Sequence, residues 1–339
     1  MTSGNQGPYN YVLPDVVECL AEADAYQRLP KQATRYAYAE AIVEIGKQNP
    51  DVVVLNADVA KSMKTTSFRD LFPEREFNFG IAEQNMMAAA AGMAATGLIP
   101  FVSTYAVFAS LRALDQLRNS IHYPKLNVKV AASHGGVTAG PDGVTHQAQE
   151  DMSILRSLAN STVIAPSDPV STKKAIRAVA EYTGPAYVSF TRDPVPYLYG
   201  EDFPFRIGRA VTIREGRDVT IVAMRDLVFQ ALVAGETLAR EGIDVRLIDC
   251  HTLKPLDEKT ILDAARATGC VVTAENNVIF GGLGSAVAEL LVENHPIPMK
   301  RVGVRDTFAE SGPYLEVIHK YGLTAPYIAQ AARDVLERS

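Results

Sequence analysis

The sequence predicts an α/β protein made of two consecutive parallel-sheet domains. Strand-like and helix-like segments alternate along most of the chain, and several strand-like segments, such as VVVLNAD (52–58), are continuously apolar. This alternation is typical of right-handed βαβ units, and continuous apolar strands are typical of a parallel sheet that helices cover on both faces. A length of 339 residues, of which 47% are hydrophobic, is enough for two cores.

The composition argues against several classes of protein. A net charge of −6 and a pI near 5.6 argue against a general nucleic-acid binder. The three cysteines form no CxxC pair, so neither a zinc site nor a disulfide framework is predicted, and a reducing cytoplasm is expected. The first residues do not read as a signal peptide. The longest apolar stretch, Met86 to Val102, is broken by glycines and Pro100, which favours protein interior over a membrane span.

The first half of the chain is expected to hold an N-terminal extension and one α/β domain. Residues 1–30 are polar and proline-containing, with a short helix near residues 16–25. From residue 31 onward, apolar spacing predicts helices at 34–47, 83–96, 106–120, 152–158 and 169–182. Apolar runs predict strands at 52–58, 77–80, 127–133, 161–167 and 186–191.

The proline-rich segment 192–210 is expected to separate two domains, with the boundary near Tyr199. The predicted organisation is an extension (1–30), a first domain (31–198) and a second domain (199–339). In the second domain, strands at 218–224, 244–250, 269–276 and 299–304 alternate with helices at 227–241, 257–267, 283–293 and 325–337. The FGGLGSA turn (280–286) is a weak dinucleotide signal because the full fingerprint is missing, and close packing of helix on sheet explains its glycines better.

The stretch from Phe77 to Thr104 is the most unusual part of the sequence. A short strand, expected to be buried, turns at Gly80 into a helix built almost wholly of alanine, methionine and glycine. Such a helix is expected to be buried on all sides, in part against another protein surface. Glu83 stands at its start, either as a first-turn carboxylate favoured by the helix dipole or as a buried functional carboxylate that needs a partner.

Candidate functional residues follow from the place where ligands bind, which in an open parallel sheet is beyond the carboxyl ends of the strands. The loop 133–151 combines several glycines with two histidines and an aspartate, which packing does not explain, although a solvated loop is the plain alternative. A metal held by this chain alone is not expected, because no close ligand set completes the histidines. Two arginines at the polar ends of apolar elements suit a phosphate or carboxylate, unless they form surface salt bridges. The candidates are Arg35, Asp58, Ser62, Glu83, Tyr105, Phe108, His134, Asp142, His146 and Arg192.

Six separated motifs together resemble the C-terminal half of a transketolase. They are ATR (33–35), ADVAKS (57–62), GIAEQN (80–85), STYAVF (103–108), the 133–151 loop with GPDGVTHQ, and TR (191–192). They stand in the order and spacing of that family, and the resemblance covers about residue 31 to the end. It implies a thiamine diphosphate pyrimidine-binding domain followed by a transketolase C-terminal domain. It also implies transfer of a two-carbon ketol unit from a ketose phosphate to an aldose phosphate.

The resemblance implies four cofactor-binding residues. Glu83 would hydrogen-bond the aminopyrimidine ring and promote the tautomer that deprotonates the thiazolium carbon. Tyr105, with Phe108 nearby, would stack on the pyrimidine, although many relatives have phenylalanine at the position of Tyr105. Asp58 would lie near the cofactor and the subunit interface.

The resemblance also implies six substrate-binding residues. The residues that would hold the sugar's hydroxyls and phosphate and help to move protons are His134, Asp142 and His146. The residues that would grip the phosphate are Arg35, Ser62 and Arg192.

One motif of a complete transketolase is not found. The sequence has no GDG…N motif for the diphosphate and a divalent metal, and no stretch is left over for the domain that carries it. The resemblance therefore implies that a second, diphosphate-binding polypeptide holds the diphosphate and Mg²⁺ in a split enzyme of α2β2 composition. The apolar helix after Glu83 would then lie at an obligate interface.

Two other functions stay open at the level of sequence. One is a subunit like deoxyxylulose-phosphate synthase or 2-oxoacid dehydrogenase, with the same cofactor; the AEQ around Glu83 also suits the synthase, which normally carries its first domain on the same chain. The other is a non-catalytic homologue that kept the fold. The presence of Glu83, His134, Asp142 and His146 argues against it.

Overall fold

The computed structural model describes residues 8–338. Within this range the chain forms fourteen strands. In chain order they are β1 (Lys31–Gln32), β2 (Val52–Asn56), β3 (Glu76–Asn78), β4 (Ile99–Tyr105), β5 (Lys129–Ser133), β6 (Thr162–Ile164), β7 (Ala186–Ser189), β8 (Val195–Pro196), β9 (Val211–Arg214), β10 (Val219–Ala223), β11 (Val245–Asp249), β12 (Thr252–Lys254), β13 (Val271–Val278) and β14 (Met299–Val304).

Helices connect most of the strands, and the long ones begin and end within a few residues of the predicted positions. The helix that starts at Glu83, here the Glu83 helix, spans Glu83–Ala95. The helix predicted at 106–120 contains two wide π-helical turns, Phe108–Arg112 and Leu117–His122, on either side of Leu114–Gln116. The other α-helices are Pro14–Cys19, Ala25–Arg28, Thr34–Gln48, Ala60–Met63, Thr66–Leu71, Asp151–Ser157, Pro169–Glu181, Leu227–Arg240, Glu258–Thr268, Leu283–Asn294, Tyr314–Lys320 and Ala325–Leu336.

The first sheet has seven strands in the order β12-β6-β7-β5-β4-β2-β3. Every neighbouring pair is parallel except β12 and β6, which are antiparallel. Side chains of β2 alternate between two hydrophobic clusters: Val53 and Leu55 belong to one, and Val52 and Val54 to the other. Both faces of the sheet are therefore buried, which is why this strand is apolar at consecutive positions.

The second sheet has five strands in the order β14-β13-β10-β11-β9, and only β9 is antiparallel to its neighbour. Its core holds the apolar side chains of the Leu227–Arg240 and Ala325–Leu336 helices. The predicted fold class, two consecutive α/β units with parallel sheets, is confirmed. One strand does not respect the division of the chain into two consecutive units: β12 follows β11 of the second sheet but pairs with β6 of the first.

Three strands of the first sheet differ from the prediction. The strand predicted at 77–80 forms as β3, but it is an edge strand paired only with β2, so Phe77 is 36% exposed and the expectation of burial is wrong. The central strand β4 is not predicted, because it follows an alanine-rich helix without a polar break and contains Pro100. The short strand β12 carries too few residues to give an apolar pattern.

The Glu83 helix is buried on one face by this chain. Met86, Met87 and Ala90 are fully buried against the first sheet and the wide-turn helix, whereas Ala88 and Gly92 are exposed. This chain by itself covers only that face, so the expected burial of the other face against another protein surface stays a prediction. From Ala88 onward the opposite face is made of small residues, and it is left open because no element of the described chain packs over it.

The described part of the N-terminal extension, residues 8–30, packs onto the second domain. Tyr9, Val12, Val16 and Leu20 are buried in the hydrophobic cluster of the second sheet. The backbone of Tyr9 also pairs with that of Arg214 at the end of β9. This segment therefore has a structural role that the sequence does not predict.

A fully buried arginine, Arg225, lies where the two sheets meet. Its guanidinium donates to the Ser189 hydroxyl (2.9 Å) and to the Asn276 carbonyl oxygen, and it lies 3.9 Å from the Asp151 carboxylate. Asp151 also accepts hydrogen bonds from Tyr187 (2.9 Å) and Ser189 (2.8 Å). Buried charges are tolerated only when they are paired and hydrogen-bonded, so this network fixes how the two units meet.

Candidate active site

A cavity of about 460 Å³ opens at the carboxyl ends of the strands of the first sheet. Asp58 lies two residues after the end of β2, Tyr105 is the last residue of β4, and His134 directly follows β5. The cavity brings together all the predicted residues except Glu83, Phe108 and His146, namely Arg35, Asp58, Ser62, Tyr105, His134, Asp142 and Arg192.

Two threonines join the ATR and TR motifs. The Thr191 backbone N–H donates to Thr34 Oγ1 (2.8 Å), and the two hydroxyls lie 3.0 Å apart in a fully buried position. Because each threonine directly precedes an arginine, this contact places Arg35 and Arg192 at the same cavity. Thr34 and Thr191 thus have a structural role, which the motifs alone do not predict.

The two guanidinium groups make the cavity cationic. Arg35 donates to the Ser62 hydroxyl (3.1 Å), and Arg192 lies 3.3 Å from the Asp142 carboxylate. Burial, and then the positive charge of Arg192, lower the pKa of Arg35. The Arg35 Nε atom is buried and has no hydrogen-bond partner. An anionic ligand would stabilise a guanidinium whose charged form is disfavoured by burial and whose Nε atom has no acceptor.

Further cations line the same cavity and are not among the predicted residues. Lys61 and Lys64 flank Ser62; Lys64 Nζ lies 4.8 Å from the centroid of the Tyr36 ring, and Lys61 is exposed with no hydrogen bond or ion pair to any residue in 8–338. The lining therefore has four cationic side chains, Arg35, Lys61, Lys64 and Arg192, against the two carboxylates Asp58 and Asp142. In a chain of net charge −6 this local excess indicates an anion site.

His134 is held in a strained and buried position. Its backbone φ is +67°, its side chain is 1% exposed, and Nδ1 lies 2.6 Å from the Ser133 hydroxyl. Nε2 points toward Asp142, 3.7 Å from its carboxylate. Burial, and then the charges of Arg35 and Arg192, lower the pKa of His134 to about 3. The imidazole is therefore neutral at physiological pH and can exchange hydrogen bonds with a ligand hydroxyl.

Aromatic rings connect this cavity to the region of Glu83. The Tyr105 ring lies 4.0 Å from the His134 ring and 5.7 Å from the Phe108 ring, measured between centroids. Phe108 in turn lies 5.4 Å from His146, which belongs to the 133–151 loop. These contacts bring Phe108 and His146 into the same cluster as the cavity residues.

Glu83 reaches this cluster through Arg112, a residue that the sequence motifs do not identify. The Glu83 carboxylate is 1% exposed, and Arg112 Nη1 donates to its Oε2 at 2.9 Å. The Arg112 guanidinium carbon lies 4.2 Å from the centroid of the Phe108 ring. The sequence does contain one indication of this role, because Arg112 is the only charged residue between Ala106 and Ala113.

Asp58 is exposed at the edge of the cavity, at a turn that Asn78 holds together. Asn78 Oδ1 accepts from the backbone N–H of Asp58 (2.9 Å) and of Gly80 (3.0 Å). Asp58 has a left-handed backbone with φ of +62°, which aspartate tolerates better than most residues. The end of β2 and the turn before Glu83 are therefore joined.

The loop 133–151 rests on the arginine that links the two sheets. A Cβ atom on Gly135 would overlap the Arg225 guanidinium, and one on Gly136 would overlap the Asn276 side chain and backbone oxygen. Val137 N–H donates to Asn276 Oδ1 (3.0 Å), and Gln147 donates to the Glu310 carbonyl (3.0 Å). The second domain thus supports the loop that carries His134, Asp142 and His146.

Neither a metal cluster nor a membrane helix is found in the described range. Residues 8–338 contain no group of three or more His, Cys, Asp or Glu side chains placed to hold a metal ion. Among the helices formed by the same residues, none is both long and apolar enough to cross a bilayer.

Comparisons with known proteins agree with the motifs. Residues 30–196 match the family described as transketolase, pyrimidine binding domain, and residues 208–328 match the transketolase C-terminal domain. A putative transketolase C-terminal section of Methanocaldococcus jannaschii is 43% identical over 90% of this chain and 96% of its own length. The 6-deoxy-6-sulfo-D-fructose transketolase subunit SqwH of a Clostridium species is 42% identical over 92% and 97%. Human transketolase is 34% identical, and the match covers 51% of its length.

Solved structures give the same result. A split-gene transketolase, described as an inactive β4 tetramer, superimposes with a TM-score of 0.84 and 47% identity, over 91% of this chain and 99% of that one. A Pichia stipitis transketolase shares the fold, with a TM-score of 0.77 at 21% identity over 92% of this chain and 47% of that one. The chain therefore belongs to the transketolase family and corresponds to its C-terminal section, the pyrimidine-binding domain followed by the C-terminal domain.

Proposed function

We propose that this chain is one subunit of a split, thiamine diphosphate-dependent transketolase that transfers a two-carbon ketol unit from a ketose phosphate to an aldose phosphate. The observation that carries the proposal is a juxtaposition. A cavity with an excess of cations meets, through Tyr105 and Phe108, a buried carboxylate at Glu83.

The residues around Glu83 fit the pyrimidine end of the cofactor. Among residues 8–338, Arg112 is the only hydrogen-bond partner of the Glu83 carboxylate and uses Oε2, which leaves Oε1 for a ring nitrogen. Tyr105 and Phe108 offer flat apolar surfaces beside it. Thiamine diphosphate, when bound, supplies the carbon nucleophile for ketol transfer.

The cavity residues fit a phosphorylated sugar. Arg35, Ser62 and Arg192 supply a charged and hydrogen-bonding grip for the phosphate, with Lys61 and Lys64 adding charge at the rim. Neutral His134 and the nearby Asp142 can hold sugar hydroxyls, and His146 lies beside the aromatic rings where it could carry a proton. Binding the phosphate at a distance from the reacting carbonyl would orient that carbonyl.

A second polypeptide is part of the proposal. A diphosphate-binding partner would hold the diphosphate and Mg²⁺, and an α2β2 assembly would cover the exposed small-residue face of the Glu83 helix. Relatives described as a C-terminal section and as a transketolase subunit support this arrangement. We further propose a cytoplasmic location, which fits three free cysteine thiols.

The test is reconstitution. The purified chain is mixed with a diphosphate-binding partner that carries a GDG…N motif, thiamine diphosphate and Mg²⁺, and ketol transfer between sugar phosphates is measured. We expect transfer in the full mixture and none with the chain alone. The Glu83→Gln variant should lose about 100-fold or more in kcat, as for loss of a general acid–base group.

The exposed Glu74→Gln variant serves as the control, and it should keep full activity in an assembly of the same size. Absence of transfer across a panel of ketose phosphates would overturn the proposal. Decarboxylation of pyruvate without use of ketoses would instead point to the oxoacid-using alternative.

A further inference from the structure

The two side chains of the Glu83–Arg112 ion pair differ strongly in solvent exposure. The Glu83 side chain is 1% exposed, while its partner Arg112 is 45% exposed. A buried carboxylate without a partner is costly, so this chain relies on Arg112 to hold Glu83 inside the protein. The arginine is the one part of the pair that faces outward.

A wide helical turn places Arg112 over Glu83. The residues Phe108–Arg112 form a π-helical turn, in which the Ala113 N–H donates to the Phe108 carbonyl five residues earlier (3.1 Å). This turn brings the guanidinium back over the Phe108 ring, at 4.2 Å from its centroid. Cation–π contact and the hydrogen bond to Glu83 therefore fix the arginine from two sides. Wide turns of this kind are frequent at functional sites.

The pair leaves one carboxylate oxygen available. Only Arg112 Nη1 is used, and only Glu83 Oε2 accepts. In the described part of the chain Oε1 receives no hydrogen bond, and the other N–H groups of Arg112 donate to no residue. The arrangement thus orients the carboxylate through Oε2 and leaves Oε1 without a hydrogen-bond partner among residues 8–338.

We propose that Arg112 is a positioning residue for Glu83: seated on Phe108 by the wide turn, it holds Oε2 and presents Oε1 to the ring nitrogen of the cofactor. This inference rests on the proposed function, because it takes the ligand of Oε1 to be the pyrimidine of thiamine diphosphate. Arg112 itself acts only through Glu83.

The experiment uses the assembled enzyme and the variants Arg112→Met, Arg112→Lys, Glu83→Gln and the double variant Arg112→Met/Glu83→Gln. The dissociation constant of thiamine diphosphate is measured by calorimetry, and kcat at saturating cofactor. We expect Arg112→Met to weaken cofactor binding or lower kcat by about tenfold or more, as for loss of a hydrogen bond to a charged group. Arg112→Lys should recover part of the loss, since it keeps the charge.

A double-variant comparison separates positioning from general damage. In the Glu83→Gln background, Arg112→Met should change the cofactor dissociation constant by less than about twofold, because the carboxylate that it positions is gone. The exposed Arg118→Met variant, in the same helix but away from Glu83, is the matched control and should behave as the unmodified enzyme. An unchanged dissociation constant and kcat in Arg112→Met, or equal losses in both backgrounds, overturns the inference.

A measurement on the chain alone distinguishes this inference from the proposed function. The melting temperatures of the same four variants should be non-additive whether or not the enzyme uses thiamine diphosphate. Non-additive melting temperatures without cofactor binding would contradict the proposed function, and with it the role given to Oε1. Additive melting temperatures would contradict the pair itself.

Discussion

At the scale of single residues, charge balance distinguishes the candidate site from the rest of the chain. Four cations face two carboxylates around one cavity, although acids outnumber bases in the whole sequence. Lys61 contributes a charge that has no partner among residues 8–338, and long-range attraction of an anion is the simplest use of such a charge.

Lys61 therefore provides a prediction at the residue scale. Lys61→Met should raise KM for a ketose phosphate about two- to fivefold, which is the range expected for an exposed charge pair. KM for the same ketose without its phosphate should stay unchanged. Steady-state kinetics of the reconstituted enzyme measure both values. Lys47→Met, an exposed lysine on the Thr34–Gln48 helix, is the control, and equal effects on both sugars would contradict an electrostatic role.

Residue identities in the motifs predict most of the candidate site. They do not predict the partners, because Arg112 meets Glu83 only through a wide turn that no spacing rule anticipates. Likewise, Thr34 and Thr191 lie far apart in the sequence, and their contact appears only when the chain is folded. Motifs thus identify the groups that could bind ligands better than the groups that hold them in place.

At the scale of elements, the 133–151 loop depends on glycines that the second domain constrains. Gly136 has φ of +63° and sits against Asn276 and Arg225, so a side chain there would be both strained and crowded. The sequence indicates that this loop needs glycines, but it does not show what they contact. The loop is therefore set by the junction between the domains as much as by its own sequence.

Gly136→Ala should lower the free energy of unfolding by about 1–3 kcal/mol more than Gly269→Ala does, because of overpacking. Both variants strain a left-handed backbone, but only the Cβ atom added at Gly136 overpacks against neighbouring atoms. The matched variant is Gly269→Ala, where φ is +74° and nothing lies within 4 Å of the added carbon. Urea unfolding measures both. Equal losses would show that crowding by Asn276 and Arg225 is unimportant.

Predictions of elements succeed where apolar periodicity is long; they miss the central strand β4, which contains Pro100, and they fail to predict the burial of β3 or the presence of β12. The Thr34–Gln48 and Leu227–Arg240 helices lie close to their predicted bounds. The edge strand β3 and the short strand β12 are set by pairing with distant strands, which local pattern does not encode. Composition likewise predicts that the Glu83 helix is apolar but not which molecule covers its exposed face, so burial of that face against another protein stays a prediction.

At the scale of the whole molecule, buried acids lie between the two sheets. Asp249, at the end of β11, accepts hydrogen bonds from Ser167 (2.6 Å) and Tyr199 (2.7 Å) and is fully buried. Burial raises the pKa of Asp249 to about 7, and nearby Asp168 adds to the rise. The native state thus retains a proton that the unfolded chain loses at a lower pH.

The sign of the resulting pH dependence is determined by this raised pKa. Between about pH 4 and pH 7 the native state binds more protons at Asp249 than the unfolded state, so its contribution to stability falls as pH rises. Between pH 5 and pH 7, Asp249→Asn should lessen this fall by about 1–3 kcal/mol, because each pH unit over which the native state holds the extra proton contributes about 1.36 kcal/mol. Urea unfolding at pH 5 and pH 7 measures the difference. The exposed Asp51→Asn variant should leave it unchanged, and an unaltered pH dependence in Asp249→Asn would contradict the assignment.

The strand β12 comes late in the chain but completes the first sheet, and this has a consequence for synthesis on the ribosome. The first sheet ends at β6 with an unpaired edge until Thr252–Lys254 arrives, well after the rest of that sheet has been made. At about 5–20 residues per second, the edge waits for several seconds, during which it could pair with another nascent chain. The first domain therefore reaches its finished form only after part of the second has left the ribosome. A chaperone that shields strand edges would be most useful to this protein in that interval.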